Sequence, residues 1–193
     1  MKPLLKFLLV VLLAACSGKP PVFQSTDITG AEFGRDFHLT DHNGKPRSLA
    51  DFRGRVVVLF FGYTHCPDVC PTTLAEFALV MKELGQDANK VQALFVTVDP
   101  ERDTPQLLAQ YVPAFNPDFL GLYGDAAATA AVAKEFRIVY QKVAGSRPGE
   151  YTMDHSAGTY VFDPAGKLRL FVSYGQGAQV LLHDIKVLLA QAG

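Results

Sequence analysis

Residues 56–61 constrain the fold more than any other stretch, because this run is short, apolar and rich in β-branched and aromatic side chains. Such a run is typical of a strand that is buried on both faces of a sheet. Gly62 ends the run, and the Cys-x-x-x-Cys motif of Cys66 and Cys70 stands directly before Pro71. Because proline is tolerated in the first turn of a helix, the sequence predicts two thiols where a central strand passes into a helix N-terminus.

The other periodic stretches predict an α/β fold. Strands are predicted near residues 37–41, 91–98, 137–143, 159–162 and 168–172, and helices after Pro71 and near residues 105–111, 126–136 and 178–189. This order is that of a thioredoxin-like α/β sandwich with an added N-terminal β-hairpin around Asn43-Gly44 and an extra helix insertion between strands. Residues 144–151 are predicted to be an exposed loop.

The N-terminus has the pattern of a targeting segment. Two lysines precede an apolar run at residues 7–13, and Leu13-Ala14-Ala15-Cys16 resembles a bacterial lipobox. We therefore expect a lipoprotein signal peptide at residues 1–15, a flexible tether from a lipidated Cys16 at residues 16–33, and a single domain at residues 34–193. An ordinary signal peptide or an uncleaved anchor is the alternative.

Composition and the expected location limit the classes of function that this chain can have. With 193 residues the chain is long enough for one domain with a substantial core, and its formal charge of −1 leaves no basic surface for nucleic acid. A membrane-anchored lipoprotein faces the periplasm or the cell exterior. A disulfide bond between the two remaining cysteines could persist in such an oxidising compartment.

The spacing of Cys66 and Cys70 permits two kinds of chemistry. Residues four apart on a helical turn share a face, and their Cα atoms would lie about 6 Å apart, which allows a disulfide. The same arrangement lets both sulfurs reach one soft metal ion. A helix N-terminus lowers the pKa of a thiol, which favours either thiol exchange or metal binding.

A third ligand distinguishes the candidate metals. Structural zinc needs four tight ligands, whereas copper(I) is satisfied by two thiolates and an imidazole. His155 is the best-placed histidine, because it precedes the predicted strand at 159–162 in the loop that faces the cysteine helix of a thioredoxin-like fold. A disulfide exchanger of this fold normally has a proline there, and none lies between Pro148 and Pro164. The pattern favours one copper ion per chain.

Several polar residues near the predicted ligands can be interpreted in two ways. Asp154 either orients the His155 imidazole from behind or caps a turn. Asp99, Arg102 and Asp103 form either a salt-bridged loop, which we favour, or a partner surface.

Three segments resemble the Sco/SenC family, namely residues 61–71, 98–105 and 154–157. Members of this family are membrane-tethered, thioredoxin-like copper chaperones for cytochrome c oxidase assembly. The resemblance implies that Cys66, Cys70 and His155 bind copper, as Cu(I), Cu(II) or both. It also implies delivery to the CuA site of cytochrome c oxidase subunit II, with an upstream periplasmic copper donor and a thioredoxin-like reductant as candidate partners. The lipobox would replace the single transmembrane helix common in the family.

The principal alternative is a thiol–disulfide oxidoreductase that reduces the CuA-site cysteines of the oxidase. Cys66 would then attack and Cys70 would resolve, as a redox-active catalytic pair. A peroxidase and a copper or redox sensor are further alternatives. We favour a metallochaperone without enzymatic turnover, because a reductase has little need of His155.

Overall fold

The computed structural model describes residues 22–191 as an α/β fold with a mixed sheet and four α-helices. The helices are α1 (Val69–Leu84), α2 (Pro105–Tyr111), α3 (Ala126–Glu135) and α4 (Ala178–Gln191). The strands are β1 (Thr26–Asp27), β2 (Leu39–Asp41), β3 (Pro46–Arg47), β4 (Val56–Gly62), β5 (Val91–Thr97), β6 (Leu120–Tyr123), β7 (Tyr140–Ala144), β8 (Tyr151–His155), β9 (Thr159–Phe162) and β10 (Leu168–Val172). The predicted signal peptide, the lipidation site Cys16 and the first part of the tether lie outside the described residues.

Eight strands form the main sheet, in the order β1-β10-β9-β4-β5-β6-β2-β3. Strands β4, β5 and β6 run parallel, and the outer pairs are antiparallel. Every residue of β4 and β5 is buried, so both faces of these central strands are covered, as the apolar run predicted. Gly62 pairs with Thr97, which brings the ends of β4 and β5 to the same edge of the sheet.

The cysteine-bearing helix packs as its apolar periodicity predicted. Leu74, Phe77, Met81 and Leu84 are buried on α1, which contacts α4. Within residues 22–191, no helix has both the length and the apolar character that a membrane span requires.

Two strands were missed by the sequence analysis. Strand β6 is short, and its Gly121 packs closely under α2, where a Cβ atom would lie 3.1 Å from Val112 and 3.2 Å from Leu108. Residues 145–150 form an exposed turn, as predicted, but β8 occupies residues 151–155, where the loop that carries His155 was expected. It pairs with β7 in a separate two-stranded sheet, so His155 is the last residue of a strand.

The segment before the domain is held against it at β1, which pairs with β10. The buried carboxylate of Asp184 on α4 accepts the backbone N–H groups of Gln24 and Ser25 at 2.8 and 2.9 Å, and the Ser25 hydroxyl at 2.5 Å. Residues 24–28, which the sequence assigned to the tether, are therefore ordered on the domain.

Candidate metal centre

The two cysteines lie at the edge of the sheet where β4 and β5 end. The Val98 N–H donates to the Gly62 carbonyl at 2.8 Å, which joins the segments that follow the two strands. Cys70 lies in the first turn of α1, but Cys66 precedes the helix in a turn whose N–H donates to the Tyr63 carbonyl at 3.3 Å. The spacing had suggested that the two thiols share one helix face. Instead, this turn brings Cys66 to Cys70.

The structure brings the three predicted ligands together. One ligand atom from each of Cys66, Cys70 and His155 lies within 4.8 Å of the others, and the Cys70 Sγ atom lies 3.4 Å from the His155 Nε2 atom. Both cysteines are free thiols. Cys70 is fully buried, whereas Cys66 and His155 are each partly exposed, so two of the three ligands are accessible to solvent.

Gly62 makes room for the Cys70 sulfur. A Cβ atom at Gly62 would lie 2.7 Å from Cys70 Sγ and 2.8 Å from the Phe95 ring. Both contacts are shorter than real Cβ atoms show, so a larger residue here would force the Cys70 sulfur or the Phe95 ring to shift. The β4 backbone thereby forms one wall of the site.

The hydrogen bonds of His155 leave one nitrogen available to a ligand. Its Nδ1 atom lies 3.0 Å from the Ser156 carbonyl oxygen, which can only accept, so Nδ1 carries the proton. Nε2 then presents its lone pair towards Cys70. The partner of Nδ1 is this carbonyl and not the carboxylate of Asp154, which is exposed and one position away on a strand whose side chains alternate.

The surroundings of the imidazole are apolar. Its ring packs edge-on against Phe60 and Tyr63, with centroids 6.1 and 5.8 Å away. Burial lowers the pKa of His155 and outweighs the opposite effect of the hydrogen bond to Ser156. A neutral imidazole is the form that binds a metal ion.

Burial also sets the protonation of the inner thiol. It raises the pKa of Cys70 far above its ordinary value, although an N–H group at Tyr63 opposes the shift. The low thiol pKa expected at a helix N-terminus is therefore wrong for Cys70. This thiol is protonated in the free protein, and a metal ion must displace the proton to bind.

Asp103 anchors the turn that carries Cys66, a role that the sequence analysis left open. Its carboxylate accepts the Thr64 N–H at 3.0 Å, the Thr64 hydroxyl at 2.6 Å and the Thr97 hydroxyl at 2.6 Å. Asp103 is buried, which raises its pKa despite these hydrogen bonds. Neighbouring Asp99 is likewise buried and pairs with Arg102, so the structural interpretation of this segment is confirmed.

Fold and site together define a thioredoxin-like α/β protein that has a dithiol and an imidazole at the end of its central parallel strands. The family model described as SCO1/SenC matches residues 25–190, and the chain belongs to this family. The resemblance of the three sequence segments is thereby confirmed.

The chain is similar over most of its length to proteins of known identity. It is 40% identical over 153 residues to the mitochondrial protein SCO2 homolog of Bos taurus. The matched region covers 78% of this chain and 58% of the bovine protein. The chain thus spans little more than half of that relative. The structure of Bradyrhizobium japonicum ScoI with copper bound is 42% identical, with a TM-score of 0.73 and coverage of 81% of this chain and 98% of that one. Apo Sco1 from Thermus thermophilus is 39% identical, with a TM-score of 0.78 and coverage of 89% and 100%.

Proposed function

We propose that this protein is a copper metallochaperone in which Cys66, Cys70 and His155 hold one copper ion for delivery to the CuA site of cytochrome c oxidase subunit II. The observation that carries the proposal is the unprotonated Nε2 atom of His155, which lies 3.4 Å from the buried sulfur of Cys70. Two soft sulfurs and one imidazole suit copper(I) in a trigonal site, and no fourth ligand completes a zinc site among the described residues.

The partial exposure of Cys66 supports transfer by ligand exchange. An incoming cysteine of the acceptor would reach the copper on the side of the partly exposed Cys66, because Cys70 is fully buried. Copper would pass between thiolates without leaving protein ligands. The copper-bound relative from Bradyrhizobium japonicum and the role of the family in oxidase assembly agree with this proposal.

The proposal includes a membrane location. Lipidation at Cys16 would anchor the mature protein, and the domain would face the periplasm or the cell exterior, where an upstream copper donor and a thioredoxin-like reductant would act on it. We interpret the β2–β3 hairpin and one helix between strands as additions to the thioredoxin plan.

A thiol–disulfide reductase is the second candidate, favoured by the unequal exposure of the two free thiols. The Cys66 thiolate would attack the acceptor disulfide, form a mixed disulfide and release one acceptor thiolate. Cys70 would then attack the Cys66 sulfur and release the second acceptor thiolate. The products would be a Cys66–Cys70 disulfide and two reduced acceptor thiols. His155 has no part in this reaction.

A copper-transfer assay distinguishes the metallochaperone from the reductase. The donor is the mature, lipidated protein in detergent, and the acceptor is the purified copper domain of subunit II. Copper should move from the reduced wild-type protein to a reduced acceptor, and His155→Ala should abolish the transfer. In a parallel assay the acceptor starts with its cysteines oxidised. If His155→Ala reduces that acceptor as fast as wild type does, and copper transfer is absent in both proteins, the chain is a reductase.

A further inference from the structure

The strand that ends at the ligand His155 belongs to the small sheet and not to the main one. Strand β8 pairs only with β7 among the described residues, and no ladder of backbone hydrogen bonds joins this pair to β9 or β5. Apart from the short chain connection to β9 through residues 156–158, the position of His155 over the dithiol therefore depends on contacts of side chains between the β7–β8 hairpin and the body of the domain.

Tyr151, at the other end of β8, makes several of these contacts. Its hydroxyl donates to Asp99 Oδ1 at 2.8 Å, and its carbonyl accepts an Arg102 N–H at 2.8 Å. The guanidinium carbon of Arg102 lies 3.5 Å from the centroid of the Tyr151 ring, and Nε of the same group donates to Asp99 Oδ2 at 2.5 Å. We name these three residues the hairpin clamp.

The clamp is partly enclosed, because its carboxylate is buried while Arg102 and Tyr151 are partly exposed. Asp99 is only 2% exposed, and one terminal nitrogen of Arg102 is buried without a hydrogen-bond partner among the described residues. Hydrogen bonds to ionised groups are stronger than neutral ones, and a guanidinium gains further by stacking on an aromatic ring. The other ion pair between the hairpin and this segment, Lys142 with Glu101, is exposed and contributes little.

The clamp and the ligand lie along the same face of the hairpin. Residues 151, 153 and 155 share one face of β8, and the middle one, Met153, is buried against the domain. Tyr63 connects the two ends, because its ring lies 5.6 Å from the Arg102 guanidinium and 5.8 Å from the His155 ring. We therefore expect a displacement of Tyr151 to reach His155 along one strand and through one shared ring.

We propose that Arg102 and Tyr151 are positioning residues for copper binding: they fix the β7–β8 hairpin on Asp99 and so hold His155 Nε2 at the dithiol. This inference rests on the proposed function for its consequence in copper affinity. Its structural part, the fixing of the hairpin, does not depend on copper.

The test uses the mature, lipidated protein in detergent, with Arg102→Gln and Tyr151→Phe as variants. Tyr151→Phe keeps the ring and removes only the hydroxyl, so it is informative even if Arg102→Gln fails to fold. Arg47→Gln is the matched control, because Arg47 also donates its Nε to a buried aspartate, at 2.8 Å, and lies 5.6 Å from an aromatic ring. Both of these partners, Asp41 and Phe52, lie outside the β7–β8 hairpin.

Hydrogen exchange of the copper-free protein gives the first readout. The backbone amides of β7 and β8 should exchange faster in both clamp variants, while those of β4 and β5 stay as in wild type. In Arg47→Gln the hairpin amides should keep wild-type rates. Unchanged hairpin exchange in the folded clamp variants would overturn the inference, whatever the copper measurements give.

Copper(I) affinity gives the second readout, measured by competition with a chelator for the reduced proteins. Each clamp variant should bind about tenfold or more weakly, as is typical when a group that orients a ligand is lost. The same substitution in a His155→Ala background should cause no further loss. An equal loss in that background would overturn the inference, since the clamp would then not act through His155. If wild-type affinity is already independent of His155, the proposed function fails, while the exchange data still decide whether the clamp fixes the hairpin.

Discussion

The Nε2 atom of His155 lies 3.4 Å from the Sγ atom of Cys70, although 85 positions separate the two residues in the chain. One belongs to a strand of the small sheet and the other to the first turn of α1. Neither element contains the site by itself. A metal ion bound here would therefore join the hairpin to the central strand–helix unit, and its affinity reports on how well the fold places both.

The first prediction concerns the space that Gly62 leaves for the Cys70 sulfur. Gly62→Ala should destabilise the protein by about 1–3 kcal/mol, because the added methyl group overlaps Cys70 Sγ and the Phe95 ring. It should also weaken copper binding, because the sulfur must move. Urea unfolding and a copper(I) competition titration measure the two effects.

Val57→Ala is the control for Gly62→Ala, since Val57 is buried on the same strand. It should lower the free energy of unfolding by a similar amount, about 2 kcal/mol, through a cavity, and leave copper affinity unchanged. Equal copper affinity in both variants would contradict the account of Gly62.

The second prediction concerns the turn before Cys66. Thr64→Val removes a hydroxyl that donates to the buried Asp103 carboxylate at 2.6 Å, so the free energy of unfolding should fall by about 2 kcal/mol. The amides of residues 64–66 should also exchange faster. Thr72→Val, on the exposed side of α1, should change stability by less than about 0.5 kcal/mol. Indistinguishable stabilities of the two variants would show that Asp103 does not anchor the turn.

The third prediction concerns the unequal thiols. Cys66 is partly exposed, whereas Cys70 is fully buried and its pKa is raised by that burial. Because the thiolate is the reactive form, a limiting amount of iodoacetamide at neutral pH should modify Cys66 in the reduced, metal-free protein and leave Cys70 intact. Peptide mass spectrometry gives the site of modification. Preferential labelling of Cys70 would mean that the inner thiol is accessible, contrary to the structure.

The fourth prediction concerns acid stability through Asp184. Burial alone would raise the pKa of this carboxyl, but the hydrogen bonds that it accepts outweigh burial and lower the pKa. A carboxyl whose pKa is lower in the folded state stabilises the fold at pH values above its unfolded pKa of about 3.9, and this contribution is lost as the pH falls through the folded value. Asp184→Asn should therefore be less stable than wild type at pH 7, with a difference that shrinks below about pH 4.

Urea unfolding from pH 7 to pH 3 measures this difference, and Asp87→Asn, an exposed position, is the control. Limited proteolysis gives a local readout, because Asp184 holds residues 24 and 25. The Asp184→Asn variant should be cleaved faster near β1 at neutral pH. A stability difference that is constant across the pH range would exclude Asp184 as the source.

The central part of the molecule was predictable from sequence because its signals are local. The apolar run of β4, the proline behind Cys70 and the periodicity of α1 each depend on neighbouring residues. The choice of His155 came from its place before a strand and from the missing proline. Both kinds of signal can be recognised in the sequence without knowledge of tertiary contacts.

The parts that were missed depend on contacts between distant segments. Strand β8, with the sequence YTMDH, has mixed polarity, and it forms only because β7 pairs with it. The expectation of a low pKa for the Cys70 thiol left out its burial, because burial depends on how α1 packs on β4. The contact of Arg102 with Tyr151 spans 49 positions, and no local pattern marks it.

The central claim is that two thiols and one imidazole bind a single copper ion, and copper(I) titration of the reduced protein tests it most directly. Wild type, His155→Ala and His183→Ala should be compared, since His183 lies on α4 and outside the cluster. The account predicts one copper ion per chain in wild type and His183→Ala, and lost or greatly weakened binding in His155→Ala. Copper affinity that is the same in all three proteins, together with a readily exchanged Cys66–Cys70 disulfide, would contradict the claim.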